Sequence, residues 1–180
     1  MKEKGFILIV SLIFLVIMSM LGISMFSGVT MDETMSGNQR EKNRSLDAVQ
    51  MTLNTVETWL SNPLNTVLGG TLNPGVACTA STVQPAICAN ALATPATPAT
   101  WPLSATLPAT PGLTVSTSGG LNTYYSQPQY YIQFLGFYPG TTNTAMYQVT
   151  ATAQGGNDSA TSVVQAVYRV KATSVNLDNP

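Results

Sequence analysis

The chain has 180 residues with seven Lys/Arg and eight Asp/Glu, so only 8% of it is charged and the formal net charge is −1. Seven cations cannot form the basic stripe that displaces counterions from nucleic-acid phosphates, and the lack of histidine excludes His-ligated metal sites and His-based triads. No Asp, Glu, Lys or Arg occurs from residue 58 to residue 157, which leaves little to converge in a catalytic cleft; no enzyme, cofactor, metal or nucleic-acid partner is expected.

Residues 6–26 read FILIVSLIFLVIMSMLGISMF, an uncharged run that would span about 31 Å as a helix, close to the roughly 30 Å bilayer core. Lys2 and Lys4 precede it, and Asp32 and Glu33 follow. The positive-inside bias therefore places the N-terminus in the cytoplasm and everything after Val29 outside. A secretory signal would need a shorter apolar core and a small-residue cleavage site, for which Gly22-Ile23-Ser24 is the candidate. A plain signal anchor is a second reading. The preferred one rests on the junction Lys4-Gly5-Phe6, which resembles a type IV prepilin leader. By that resemblance residues 1–5 are the leader, the cut falls between Gly5 and Phe6 on the cytoplasmic side, and residues 6–28 stay as a transmembrane and filament-core helix.

Beyond Val29, Leu46, Val49, Leu53, Val56 and Leu60 recur at steps of 3, 4, 3 and 4, the stripe of an amphipathic helix over residues 29–62. Trp59 extends this packing face, while Glu41, Asp47 and Glu57 are expected to face water. Gly37-Asn38 is a weak point where a kink or unwound turn is expected, since glycine costs about 1 kcal/mol in a helix. Asn62-Pro63 ends the helix, because the residue before proline avoids the α region.

Residues 63–126 form an uncharged Thr/Pro/Ala-rich region. In TPATPATWPLSATLPATPG (94–112) proline removes donors and fixes φ, which predicts extended surface loops; such repeats also resemble O-glycosylated stalks. Cys78 and Cys88 are the only cysteines. Outside the cytoplasm, a pair ten residues apart with Pro85 between predicts a disulfide that stabilises by about 2–3 kcal/mol. Two thiols without histidine leave zinc short of ligands, and the spacing is not that of a redox pair.

Segments 129–138, 146–154 and 160–171 are β-branched, aromatic and largely alternating, so residues 127–180 are expected to form an antiparallel sheet of three or four strands with a tail. Val164, Ala166, Tyr168 and Val170 fall on one face, as do Tyr147, Val149, Ala151 and Ala153. Gly155-Gly156-Asn157-Asp158 reads as a tight turn, with Asp158 a turn former rather than a calcium ligand. The tyrosines at 124, 125, 130, 131 and 138 fit either a sticky surface or alternating core positions. The expected fold class is α+β, one long helix laid on an antiparallel sheet.

Two segments together carry a family resemblance. GFILIVSLIFLVIMSMLGISMFSGVTMDETMSGNQREKNRSLDAVQ and MYQVTATAQGGNDSATSVVQAVYRV resemble the two ends of PilX-type minor pilins of the type IV pilus assembly apparatus. The resemblance implies a type IV pilin-like fold and N-methylation at Phe6 after cleavage by a prepilin peptidase. It also implies residence in the inner membrane before assembly and then in the extracellular pilus. Expected partners are other minor pilins, the major pilin and a PilY-type tip adhesin. Most pilins carry a glutamate at the fifth position after the cut; here it is Val10, so no carboxylate can neutralise a neighbour's terminal amine. The resemblance makes Val10 the mark of a subunit at or near the pilus tip that helps to initiate assembly. The rivals are a GspK-like minor pseudopilin of a type II secretion system and a membrane-anchored adhesive or binding module.

Overall fold

The computed structural model describes residues 4–103, 105–107, 113–118 and 123–172, the side chains of residues 4 and 26–28 excepted; residues 1–3 of the expected leader and the expected tail 173–180 lie outside the described residues. The chain divides into two units, Met1–Arg40 and Glu41–Pro180. Helix α1 (Lys4–Ser61) begins in the first and ends in the second.

In the first unit the described large apolar side chains are exposed, Phe6, Leu15, Leu21 and Met25 among them. Its most apolar 18-residue window has mean hydropathy 3.0, long and apolar enough to cross a membrane. Ser11 and Ser19 donate their hydroxyls to the carbonyls of Leu8 and Val16 at 2.9 and 2.8 Å. That internal pairing is what a helix in hydrocarbon requires of its few polar groups. The expected unwinding at Gly37-Asn38 does not occur, and α1 continues through both residues. One glycine costs about 1 kcal/mol, too little to interrupt a helix already propagating on both sides.

In the second unit α1 stops at Ser61, and Asn62 accepts from the Leu64 N–H at 3.1 Å to cap the short α2 (Pro63–Thr66). Strands β1 (Val67–Leu68) and β2 (Thr71–Leu72) form a hairpin over Gly69 and Gly70, both at positive φ, as a two-residue turn demands. The main sheet holds β5 (Gln129–Phe137), β6 (Thr144–Gln154) and β7 (Thr161–Lys171) as an antiparallel meander. These are the three strands expected from the alternation. Two short additions pair with β5, namely β3 (Ile87–Cys88), which is parallel, and β4 (Ala105–Thr106), which is antiparallel.

One face of this sheet receives α1. Ala48, Val49, Leu53, Val56 and Leu60 are buried against Tyr130, Ile132, Tyr147 and Val149. Alanines at 145, 151 and 153 on β6 are buried in the same cluster, and their small side chains leave room for the helix. Leu46 of the predicted stripe is only half-buried, whereas Ser45, Ala48 and Thr52 are buried. Apolar periodicity passes over these residues because small and hydroxylated side chains do not register as apolar; Thr52 bonds the Ala48 carbonyl at 2.7 Å and thereby hides its polarity.

The opposite face is covered where surface loops were expected. Trp101 and Leu103, from the Pro/Thr/Ala segment, are buried with Cys78, Cys88 and Tyr131 in a second cluster. Proline did keep regular elements short there, but its uncharged neighbours were free to pack. Residues 104 and 108–112 of the segment lie outside the described residues.

Candidate functional site

Three places carry the residues singled out above. The first is the start of α1. Gly5 and Phe6 lie in its first turns, with Phe6 73% exposed. Val10 is exposed and shares a shallow apolar depression with Phe6, Ser11, Phe14 and Met18. No carboxylate lines that depression, and Ser11 is its one polar side chain.

The second is the packing seam between α1 and the sheet, and here one expectation is overturned. Glu41 does not face water. Its side chain and that of Arg44 are each 16% exposed, and Arg44 Nη1 donates to both Glu41 oxygens at 3.0 and 3.1 Å. The Gly156 N–H donates to Glu41 Oε2 at 2.5 Å. Arg44 Nη2 donates to the Thr123 carbonyl, and the guanidinium lies 5.2 Å from the Tyr124 ring centre. Beside this cluster Lys42 Nζ donates to the Thr161 carbonyl at 2.6 Å, and the Ser45 and Ser162 hydroxyls share a buried hydrogen bond of 2.5 Å. A Cβ at Gly155 would stand 2.5 Å from the Glu41 carbonyl, and one at Gly156 would stand 2.6 Å from Glu41 Oε2. The Gly-Gly pair is thus there to let helix and turn touch, not only to make the turn. Asp47 and Glu57 are exposed as expected. Asp158 is exposed in the turn and accepts from the Ser159 hydroxyl at 3.1 Å. Among the described residues, no group of three or more His, Cys, Asp or Glu could hold a metal ion.

The third place is the disulfide. Cys78 and Cys88 are bonded, with Cα atoms 5.3 Å apart. The Asn90 amide oxygen accepts from the Cys78 N–H at 2.8 Å, and the Tyr131 hydroxyl donates to the Asn90 carbonyl at 2.6 Å. The loop is thereby pinned to the outer face of β5. Trp101 packs edge-on to Tyr131, with ring centres 6.3 Å apart. The tyrosine question resolves by position. Tyr130 and Tyr131 are buried on opposite faces of β5, Tyr124 packs under Arg44, and Tyr138 stays 46% exposed. Burial pushes the Tyr130, Tyr131 and Tyr168 hydroxyls up, the last helped by Glu57, and moves that of Tyr147 up to about 12.

A long helix, apolar at its start and laid at its end on an antiparallel sheet, is the layout of a type IV pilin. Comparison with known families makes this specific. The C-terminal profile of the type IV pilus assembly protein PilX matches residues 50–170, and the PilX N-terminal profile matches residues 4–56. The chain belongs to the PilX family of type IV pilus assembly proteins. No curated protein and no solved structure matches it significantly.

Proposed function

We propose that this minor pilin is a non-catalytic subunit that helps to initiate type IV pilus assembly and sits at or near the pilus tip. The observation that carries this reading is Val10, on an exposed surface of the first helical unit that no carboxylate lines. A subunit that enters the shaft needs a carboxylate near this depth to meet a neighbour's terminal amine, and an uncompensated charge costs about 2.5–3.5 kcal/mol at mid-bilayer. A subunit with nothing ahead of it needs none. On this reading residues 1–5 are a leader removed by a prepilin peptidase, Phe6 becomes the N-methylated first residue, and residues 6–28 hold the chain in the inner membrane before packing in the filament core. Other minor pilins, the major pilin and a PilY-type tip adhesin are its partners.

The test has two parts. Intact-mass analysis of protein from membranes containing a prepilin peptidase should give a chain starting at N-methylated Phe6; a start at Met1 or within residues 22–25 overturns the pilin processing. Gold labelling of wild-type pili should mark tips, and Val10→Glu should spread the label along shafts. Wild-type label along the shaft removes the tip assignment.

A further inference from the structure

Among the described residues, the disulfide segment covers only part of the sheet's outer face. Its cluster meets β5 at Tyr131, and Thr150 and Thr152 of β6 are buried on that same face. Further along, cross-strand pairing sets Gln133, Gln148 and Val167 in one row, Gly136, Met146 and Arg169 in the next, and Thr144 beside Lys171. A β-bulge between Phe134 and Gly136 adds Leu135 to this surface. Leu135 is 41% and Val167 59% exposed, and a Cβ on Gly136 would meet nothing within 4 Å. A solvent-facing strand face normally alternates to polar residues, yet Leu135, Met146 and Val167 here make an apolar centre.

Its rim is basic. Arg169 and Lys171 are exposed, and the Arg169 guanidinium lies 5.9 Å from the Tyr138 ring centre. Of the other cations in this unit, Lys42 and Arg44 are engaged on backbone carbonyls. The described carboxylates of this unit are elsewhere: Glu41, Asp47 and Glu57 lie on α1, and Asp158 sits in the β6–β7 turn, at the opposite end of the strands from Lys171. An apolar centre with a positive rim that no described carboxylate balances is complementary to an apolar surface flanked by carboxylates. Two cations are too few for a nucleic acid.

We propose that this uncovered part of the outer face, centred on Leu135, Met146 and Val167 with Arg169 and Lys171 at its rim, docks a carboxylate-flanked apolar surface of a neighbouring pilin subunit. The proposal rests on the pilus reading above. It is tested by expressing the full-length chain with its co-encoded minor pilins, solubilising in detergent and quantifying each subunit retained on the tagged chain. Wild type should retain at least one subunit, and less of it as salt rises from about 0.1 to about 1 M, which shortens the screening length from about 10 to about 3 Å. Arg169→Glu with Lys171→Glu, and separately Val167→Glu, should each cut that retention at least tenfold with an unchanged melting temperature. Asn54→Glu, on the exposed side of α1, should leave it intact. Retention unchanged in both patch variants overturns the docking surface and leaves the pilus reading standing. Wild type that retains no subunit overturns both. Patch variants that only convert a dimer of this chain to monomer identify a second copy as the occupant and overturn the proposal.

Discussion

The two faces of the β5–β7 sheet are closed by opposite means. On one lies α1, which satisfies its own backbone hydrogen bonds and contributes a stripe from Ala48 to Leu60 to a single continuous core. On the other lie Trp101 and Leu103, from a segment whose described regular elements are two-residue strands paired along β5 and the 3₁₀ turn Pro98–Thr100. An irregular cover must have its backbone tied by other groups. Here a disulfide, the Asn90 side chain and the Tyr131 hydroxyl supply those ties. The helix covers its face with repeating side chains, whereas the described loop residues cover only as far as their ties reach. The apolar patch around Val167 begins where they end.

This contrast can be broken from either side. The largest effect is expected on the helix face. Leu60, 1% exposed, sits in the continuous core, and Leu60→Ala should cost about 3 kcal/mol of unfolding free energy, read from denaturant midpoints in detergent. Next comes the outer face: replacing Cys78 and Cys88 with serine removes a cross-link over a ten-residue separation and should cost about 2–3 kcal/mol. Proteolysis should then cut within residues 76–107 while α1 and β6 stay protected. Equal loss of protection on both faces would mean that the two clusters form one cooperative core.

The contact between helix and turn comes third. Gly155→Ala brings a methyl within 2.5 Å of the Glu41 carbonyl and should lower stability by about 2 kcal/mol, the cost of overpacking against backbone that cannot give way. The same change at Gly140, where an added Cβ meets open space, should act only through its positive φ and cost less. The smallest effect is in pH dependence. The Tyr147 hydroxyl is pushed from 10.0 to about 12 by burial, so the folded chain holds this proton more tightly than the unfolded one. The resulting stability is complete below pH 10 and lost as pH rises towards about 12. Alkaline melts should fall most steeply in that window, and Tyr147→Phe should flatten the fall. That variant also leaves the Asn73 carbonyl without the 2.9 Å bond from Tyr147, at a cost of about 1 kcal/mol at neutral pH.

Much of this architecture was legible residue by residue. The apolar run, the 3–4 spacing to Leu60, the stop at Asn62-Pro63 and the alternation in three strands are local patterns, and local patterns survive in one dimension because each reports a period. The cysteine pair was legible because few partners were possible. Glu41 was misread because helical spacing says which side a residue occupies but not what stands opposite. Its partner, Gly156, is 115 positions away. The outer cluster of Trp101 and Leu103 was missed because a proline-rich segment has no period from which burial could be read.

The sequence by itself therefore determined the long helix, the three long strands and their order, the membrane-length apolar run and the family, since propensity, periodicity and motif are properties of neighbours along the chain. Tertiary structure alone decided that Glu41 and Arg44 lock onto a glycine turn, that an uncharged loop becomes a second layer, and that this layer stops short of Val167. Each of these depends on contact between distant residues, whose geometry exists only after the sheet has formed.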